Sequence, residues 1–492
     1  MPLTVSETRI ILIGALLAQF LGALDQTVVA TALPAISADL GDVELLSWIV
    51  TSYLLASTCC MPIVGKLSDF YGRRRMLLLS VAVFTLASML CAAAPTMLTL
   101  ILARTLQGVG CAGLFTLPQA IIGDIVAPRE RGRWNAYTSS VWLSSSLLGP
   151  PLGGTLTAHF GWPWIFWINL PLGLIVLAIA AHTLKKLPVV RRRAEIDYAS
   201  IVLLSGSTIA LLCVLSLGGK RLAWSSPALL ALALASVLLG ALFLYRQTHA
   251  KEPVLPLRFL RDKVIQPVLS ASFILYGSYL ACIVLGALYF QIGLGLPVDR
   301  VGLVIIPMMV ANTAASNMAG RHIRRSGRYR AQPMIGVTIA TIFFAIMAIF
   351  ADRMSVLEAM LVLMVAHAGL GPIFPAGMVA SQNAVEARDL GAISGAMGFS
   401  RALGGAVIVA AGSALVLGLV AASLPELGAV ANLEDLVRRD LPPEARRLVA
   451  ASFGGLFAAL AVTTATGLLL FSRVEERTLR GAAPSPAPAA SD

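Results

Sequence analysis

The chain has 492 residues, of which 58% are hydrophobic and 13% are charged, and its formal net charge is +12. Because soluble domains carry about 25% charged residues, this composition excludes a water-soluble globular protein and indicates a chain that folds largely in lipid. The surplus positive charge lies mainly in the loops between the apolar runs, so it does not indicate nucleic-acid binding.

Fourteen apolar runs follow one another along the chain, each long enough to cross a bilayer as a helix of about 20 residues. They lie near 9–32, 46–66, 76–94, 97–121, 134–157, 162–184, 197–217, 223–245, 264–294, 301–319, 331–351, 354–378, 391–420 and 447–472. The sequence therefore predicts an all-α integral membrane protein that crosses the membrane many times.

The loops between these runs carry unequal positive charge. Most of the 37 Lys and Arg residues fall in the even-numbered turns and near the two chain ends, as in the arginine triplets 73–75 and 191–193. Cytoplasmic loops keep more Lys and Arg than outer loops. Both termini are therefore expected in the cytoplasm.

Two loop segments repeat in order. GKLSDFYGRRR at Gly65 returns as GRHIRRSGRYR at Gly320, and RERG at Arg129 returns as RDLG at Arg388. Transporters built from parallel repeats show such symmetry, which predicts two six-helix bundles plus two extra central helices. The expected divisions are a first bundle at 1–190, the added helices at 191–250, a second bundle at 251–473 with an outer loop at 421–446, and a disordered cytoplasmic tail at 474–492.

Five segments resemble signatures of one family, the major facilitator superfamily. GKLSDFYGRRRM is similar to its motif A, LARTLQGVGCAG (from Leu102) to motif B, and SSLLGPPLGGTL (from Ser145) to motif C, the antiporter motif. LDQTVVATALP (from Leu24) and WPWIFWINLPLG (from Trp162) resemble helices one and six of the fourteen-helix drug:proton antiporters of the EmrB/QacA type. The resemblance implies the major facilitator fold, the bacterial inner membrane, and proton-driven multidrug efflux of the kind that confers antibiotic resistance.

One acid and one base, Asp25 and Arg104, fall at similar depths inside predicted helices. At a rise of about 1.5 Å per residue, each lies roughly 10 Å below the outer end of its helix. A charge buried in lipid is normally paired or functional. The two residues form either a static ion pair that orients helices or a proton switch, in which burial favours the neutral carboxyl and the arginine favours the ionised one. The resemblance favours the switch and makes the pair the candidate proton and substrate coupling site.

The loop at 65–75 carries a second candidate site. Its glycines permit a tight turn, and Asp69 can lie near a helix N-terminus and face Arg73 or Arg133. The arginines alone would serve as a topology signal, whereas the resemblance implies a cytoplasmic gate that holds the outward-facing state. The gate candidates are Gly65, Asp69, Gly72, Arg73 and Arg74.

Small residues and proline interrupt the middle of the fifth predicted helix. Small residues let helix backbones approach closely, and a proline inside a helix frees a carbonyl and bends the helix. Plain helix packing explains these residues, whereas the resemblance implies a bend typical of exporters. The motif C candidates are Gly149, Pro150, Gly153 and Gly154.

Other polar residues inside predicted helices are candidates for lining a substrate cavity. His367 is either a hydrogen-bonded packing residue or a second titratable site, and Arg401 resembles a family arginine. Helices ten and thirteen carry no carboxylate, unlike relatives that export dications, so we expect neutral, monocationic or amphipathic substrates. The cavity candidates are Tyr53, Gln291, Asn312, His367 and Arg401.

These observations predict a proton-coupled antiporter that exports amphipathic small molecules by alternating access. The alternatives are a lipid or dedicated metabolite exporter of the same fold and, after these, a channel or a membrane-embedded enzyme. No H-E-x-x-H or G-x-x-x-x-G-K-[ST] motif is present, so we expect neither an enzyme nor direct use of ATP. The six cysteines form no C-x-x-C pair, so we expect no metal or other cofactor. The expected partners are the substrate, protons and membrane lipid, without nucleic acid. Whether a periplasmic adaptor is also required is left open by the sequence.

Overall fold

The computed structural model describes residues 4–42, 45–186, 197–218, 222–250, 252–424, 433 and 442–479. In this part of the chain the long helices are α1 Val5–Leu40, α2 Leu46–Tyr71, α3 Arg73–Ala92, α4 Met97–Ile125, α5 Pro128–Phe160, α6 Trp164–Thr183, α7 Tyr198–Leu217, α8 Pro227–His249, α9 Ile265–Gly293, α10 Val298–Ser326, α11 Ala331–Phe350, α12 Val356–Ala384, α13 Leu390–Ser423 and α14 Pro443–Ser472. Short helical turns lie at Leu184–Lys186, Arg258–Arg261 and Ala387–Asp389. The all-α fold expected from the sequence is confirmed.

Three of the long helices depart from regular geometry. α6 consists of Trp164–Trp167 and Asn169–Thr183, and α12 consists of Val356–Leu370 and Ile373–Ala384, with Pro372 at the break. α9 ends in a π-helical turn, Tyr289–Gly293. Proline cannot donate the backbone hydrogen bond of a regular helix, which accounts for the break in α12.

Side-chain caps fix several helix starts. Thr4 accepts from the backbone N–H of Glu7 before α1, and Ser355 accepts from that of Glu358 before α12. In both cases the glutamate side chain accepts from the backbone N–H of the capping residue in return. These reciprocal bonds satisfy N–H groups that have no partner within the helix.

Thirteen helices in the described ranges are long and apolar enough to cross a membrane. α5 is outside this set, although it is 33 residues long, because its sequence is more polar. It lies between α1 and α10, where Ser139 pairs with Ser316 at 3.0 Å and Ser140 accepts from Asn317 at 3.1 Å. Ser139 and Ser140 of α5 thus have hydrogen-bond partners on α10.

The outer helix faces are apolar and exposed, as expected for contact with lipid. On α3 the exposed side chains Leu79, Leu86 and Leu90 recur at helical spacing. α8 exposes most of its surface, including Leu234 and Val237, and packs mainly against α7. α7 in turn contacts α2 and α13. The two added helices therefore lie at the periphery, against one helix of each repeat.

The two repeats meet through a matched pair of helix crossings at one end of the molecule. Gly65 of α2 packs against the backbone of Gly391 of α13, and Gly132 of α5 packs against that of Gly320 of α10. Gly65 and Gly320 occupy equivalent positions in the repeated sequences, as do Gly132 and Gly391. Because a Cβ atom at any of these positions would overlap neighbouring atoms, glycine permits the close approach of the helices.

The beginning of the predicted tail packs against the second repeat. Val474 and Leu479 are buried, and Arg477 forms an ion pair with Asp262 at 3.2 Å. Burial raises the pKa of Tyr329, whose hydroxyl donates to the backbone oxygen of Glu475 at 3.0 Å. Residues 474–479 are therefore ordered, in contrast to the disorder expected for 474–492. Residues 480–492 and most of the predicted outer loop lie outside the described residues.

The glycines of α5 generate a matched test of packing. A Cβ atom at Gly149 would overlap Thr27 of α1, whereas a Cβ at Gly154 meets nothing within 4 Å. We expect Gly149→Val to destabilise the chain by about 1–3 kcal/mol through overpacking. Gly154→Val carries the same change in helix propensity without the overlap. Thermal unfolding of the purified full chain in detergent measures both, and equal shifts in Tm would contradict the packing assignment.

Candidate functional site in the membrane-embedded core

Asp25 lies fully buried in α1 and is held by donors from two other helices. Its Oδ2 atom is 2.7 Å from Nη1 of Arg104 on α4. Its Oδ1 atom accepts from Nε2 of Gln107 at 2.9 Å and from Nδ2 of Asn169 on α6 at 2.8 Å. Charge-assisted hydrogen bonds of this kind are about twice as strong as neutral ones. The carboxylate therefore has a partner for each oxygen in a region without access to solvent.

Arg104 connects this carboxylate to α2. Its Nε donates to the backbone oxygen of Ile49 at 3.3 Å, and its Nη1 also donates to Oε1 of Gln107 at 2.7 Å. The guanidinium carbon lies 4.0 Å from the ring centroid of Tyr53 and 5.7 Å from that of Phe166. A cation over an aromatic face is attracted to it. The result is one closed cluster, the Asp25 cluster, formed by side chains of α1, α2, α4 and α6.

Tyr53 was predicted as a cavity residue, but it is fully buried in the Asp25 cluster. Its hydroxyl donates to Sγ of Cys111 at 2.7 Å. Its ring covers one face of the Arg104 guanidinium, so in this conformation it shields the Asp25–Arg104 ion pair on that side. The sequence names Tyr53 as a cavity candidate, whereas in this conformation it contacts Arg104 and Cys111.

Sequence reasoning missed two members of the Asp25 cluster, Gln107 and Asn169. Gln107 lies three residues after Arg104 on the same helix, where side chains share a face. Asn169 also donates to Oγ of Ser88 at 3.0 Å, so it connects Asp25 to α3. The spacing from Arg104 is a signal for Gln107. For Asn169 the signals are an amide inside an otherwise apolar helix and its position in the WPWIFWINLPLG segment.

A second cluster of charges lies where α2 meets α13. Both carboxylate oxygens of Asp69 accept backbone N–H groups at the start of α13, from Gly391 and Ala392, each at 2.9 Å. Arg73 bridges Asp69 at 2.6 Å and Asp124 of α4 at 2.7 Å. A carboxylate at a helix N-terminus is stabilised by the unpaired N–H groups and the helix dipole. We call this arrangement the helix-cap latch, because it fastens the first repeat to the second.

Two further motif A candidates, Gly72 and Arg74, flank Arg73 in the sequence and make other contacts. Gly72 ends α2 with a φ of 88°, a conformation that favours glycine. Arg74 donates to the backbone oxygen of Ala181 at 3.1 Å, and Arg133 donates to the hydroxyl of Tyr137 at 2.8 Å. Of the two arginines proposed as partners of Asp69, the structure therefore places Arg73 in contact.

The equivalent loop of the second repeat forms a different contact. Arg324 takes the place of Asp69 in the repeated segment, and it pairs with Glu130 of α5 at 3.1 Å. Both side chains of this pair are exposed, and exposed ion pairs contribute little to stability. The two equivalent loops therefore form different contacts, and the latch is asymmetric.

The other cavity candidates differ in their surroundings. Nδ2 of Asn312 donates to the backbone oxygen of His367 at 2.9 Å, and both residues are buried, so they join α10 to α12. Gln291 lies half-buried in the π-helical turn of α9. Arg401 is half-buried and donates to the backbone oxygen of Phe374 at 3.1 Å. Asn312 and His367 thus do not line an open cavity in this conformation.

The sequence and the fold match known transporters. A family model described as Major Facilitator Superfamily matches residues 15–409. Curated relatives include an uncharacterized MFS-type transporter of Mycobacterium tuberculosis, 33% identical over 381 residues, or 77% of this chain and 55% of that protein. Efflux pump dotC of Dothistroma septosporum is 32% identical over 436 residues, 87% of this chain and 75% of its own. Multidrug resistance protein 3 of Bacillus subtilis is 30% identical over 399 residues, 81% of this chain and 78% of its own.

Solved structures share the fold at low sequence identity. The human organic anion transporter MFSD10 matches with a TM-score of 0.65 and 14% identity, over 94% of this chain and 99% of that one. The proton:xylose symporter XylE matches with a TM-score of 0.65 and 14% identity, over 97% and 98%. These matches confirm the expected major facilitator fold. The chain spans only about half of the length of the mycobacterial relative.

The Asp25 cluster generates a stability prediction. Arg104→Met leaves the buried carboxylate without its cation, and breaking a buried ion pair costs about 3–5 kcal/mol. The double variant Asp25→Asn/Arg104→Met removes both charges, so we expect it to recover most of that loss. Thermal unfolding of the full chain in detergent measures the difference. Arg353→Met is the matched control, because the Arg353 side chain is exposed. A double variant no more stable than Arg104→Met would contradict the assignment.

Proposed function

Because the chain belongs to the Major Facilitator Superfamily, we propose that it is a proton-coupled antiporter that exports amphipathic small molecules by alternating access. It is a multi-pass membrane transporter of a family whose members are not enzymes. Proton coupling, antiport and the direction of transport are our proposal. The single observation that carries it is the closed cluster around Asp25.

The contacts of Asp25 suggest how a proton would act on the fold. The ionised carboxylate accepts from Arg104, Gln107 and Asn169. A proton on this carboxyl would remove the attraction to Arg104 and convert one acceptor oxygen into a donor. The partners lie on α4 and α6, and Arg104 continues the contact to α2. Protonation would therefore change the packing of four helices together, and a ligand that binds one conformation better shifts the population toward it.

The helix-cap latch supports alternating access between two conformations. Asp69 and the glycine pairs Gly65–Gly391 and Gly132–Gly320 hold the repeats together at one end. Transport by this fold proceeds by rocking one repeat against the other. We propose that the latched end is cytoplasmic and that the described conformation is outward-facing. Uptake of substrate from the cytoplasm would then require the latch to open.

We also propose that α5 crosses the membrane, which gives fourteen spans in a 6 + 2 + 6 order like that of the EmrB/QacA type. A 33-residue helix is about 50 Å long, which exceeds the thickness of a bilayer. It also lies between α1 and α10, which both qualify as spans. The positive loops support our proposal that both termini lie in the cytoplasm of a bacterium and the chain in its inner membrane.

Relatives named as multidrug and efflux proteins support export of small molecules. The same fold would also serve a lipid or dedicated metabolite exporter, which remains the alternative. The proton gradient supplies the energy in this proposal, so no cofactor is required.

Replacement of Asp25 tests proton coupling. We expect Asp25→Asn to be less stable, because Arg104 loses its anion, but to remain inserted in the membrane. It should no longer drive substrate uptake into everted vesicles with a proton gradient, because the amide cannot release a proton. A pH-sensitive dye reports the proton flux that substrate induces. Asp39→Asn is a control on the same helix, because Asp39 accepts from the indole of Trp162 near the helix end. Wild-type proton flux and uptake in Asp25→Asn would refute the coupling proposal.

Replacement of Asp69 tests the gate. The amide of Asp69→Asn retains one acceptor oxygen and no charge, so it loses the ion pair and one cap bond. We expect the latched conformation to weaken by about 1–2 kcal/mol, a change of roughly five- to thirtyfold in the population ratio.

Double electron–electron resonance between labels at Tyr71 and Arg325, both exposed, in a cysteine-free background, measures this change as a larger fraction of long distances. Asp352→Asn serves as the control, because Asp352 pairs loosely with Arg353 at 3.7 Å. A distance distribution unchanged by Asp69→Asn would show that the latch does not control opening.

A further inference from the structure

Within the described ranges Arg401 has no acidic partner, unlike the other deep charges. It lies well inside α13, and among the described residues its contacts are a hydrogen bond to the backbone oxygen of Phe374 and the Phe374 ring, 5.5 Å from its guanidinium carbon. Asp25 and Arg104, by contrast, neutralise each other. An unpaired charge at membrane depth is costly and by default indicates a functional site.

The Phe374 ring that contacts Arg401 packs against two further aromatic rings. The Phe374 ring of α12 lies 5.9 Å from that of Tyr276 and 5.4 Å from that of Tyr279, both on α9 and both in edge-on contact. All four side chains are half-buried, so each remains partly accessible. We call these four residues the Arg401 pocket. Its walls come from α9, α12 and α13, which all belong to the second repeat.

The Arg401 pocket contains more hydrogen-bond donors than acceptors to receive them. A guanidinium carries five N–H donors, and one of them is used, in the bond to Phe374. The hydroxyls of Tyr276 and Tyr279 have no hydrogen-bond partner within the described ranges. Behind Tyr279, the ring of His367 lies 5.4 Å away, and its Nε2 atom is buried without a partner in the described residues. The pocket therefore offers several donors and no carboxylate.

We propose that the Arg401 pocket binds the anionic group, a carboxylate or sulfonate, of an amphipathic substrate. The guanidinium presents a planar pair of N–H groups that fits such a group, and the open faces of Phe374 and the tyrosines hold an apolar or aromatic body. Asp25 does not compete for a cationic substrate in this conformation, because its oxygens are already occupied. The inference rests on the proposed transport function and narrows its substrates to organic anions.

Two probes that differ by one sulfonate test the pocket. We compare 8-anilinonaphthalene-1-sulfonate with neutral N-phenyl-1-naphthylamine, bound to the full chain in phosphatidylcholine nanodiscs, by equilibrium dialysis against empty nanodiscs. We expect the wild type to prefer the sulfonate, and Arg401→Gln to weaken sulfonate binding by about tenfold or more while leaving the neutral probe unchanged. Arg401→Lys should retain part of the affinity, because it keeps the charge but not the planar fork.

Controls separate a local effect from misfolding. Arg353→Gln removes an exposed arginine and should bind both probes like the wild type. Tyr276→Phe removes one hydroxyl without removing the ring, so a loss confined to the sulfonate supports the pocket even if Arg401→Gln is unstable. A Tm near that of the wild type confirms the fold of each variant.

Equal binding of the two probes by the wild type would overturn the proposal, and so would sulfonate binding unaffected by both Arg401→Gln and Tyr276→Phe. Displacement of the sulfonate by phosphatidylglycerol added to the nanodiscs would also overturn it, because that result would assign the pocket to a lipid headgroup. The binding assay uses no proton gradient. Failure of proton-driven transport with intact, Arg401-dependent binding would therefore contradict only the antiporter proposal.

Discussion

A carboxylate buried among membrane helices must be supplied with donors, and the first repeat is arranged around that constraint. Asp25 is fully enclosed, and its oxygens accept from Arg104, Gln107 and Asn169. Those side chains extend the contact to Ile49 of α2 and Ser88 of α3. Five helices thus share one polar cluster, so the charge of one carboxyl group bears on the packing of most of a bundle.

The contact between the repeats depends on a different constraint, the close approach of backbones. Gly65 meets Gly391 and Gly132 meets Gly320, and the repeated sequences place these four glycines in equivalent pairs. Both crossings are closely packed. At the crossing of α2 with α13, Asp69 adds specific hydrogen bonds by capping the start of α13. The crossing with the cap contains a strong, buried contact, whereas the other carries an exposed ion pair. Opening at this end therefore requires one specific set of hydrogen bonds to break.

The sequence predicts the helices well because lipid imposes a length and a polarity on each span. The fourteen apolar runs correspond to the fourteen long helices, although α5 is too polar to qualify by composition. The depths of Asp25 and Arg104 also indicate that they can meet. Helix periodicity does not show which neighbour an amide such as Asn169 faces, nor that Asp69 reaches a helix more than 300 residues later. Those contacts, and that of Tyr53 with Arg104, arise from tertiary packing.

The distribution of buried charge between the two repeats cannot be deduced from the number of acidic and basic residues in the helices. From the sequence, one deep acid suggested a cavity suited to neutral or cationic molecules. In the structure that acid is paired, so the first repeat contributes no net charge at its centre, while Arg401 in the second repeat has no acidic partner within the described ranges. Because electrostatic interactions strengthen where water is excluded, we propose that this arginine rather than the buried ion pair sets the ligand charge that the core favours. In the proposed antiporter the acid would then serve the proton and the arginine the substrate, so the two ligands would bind in different repeats.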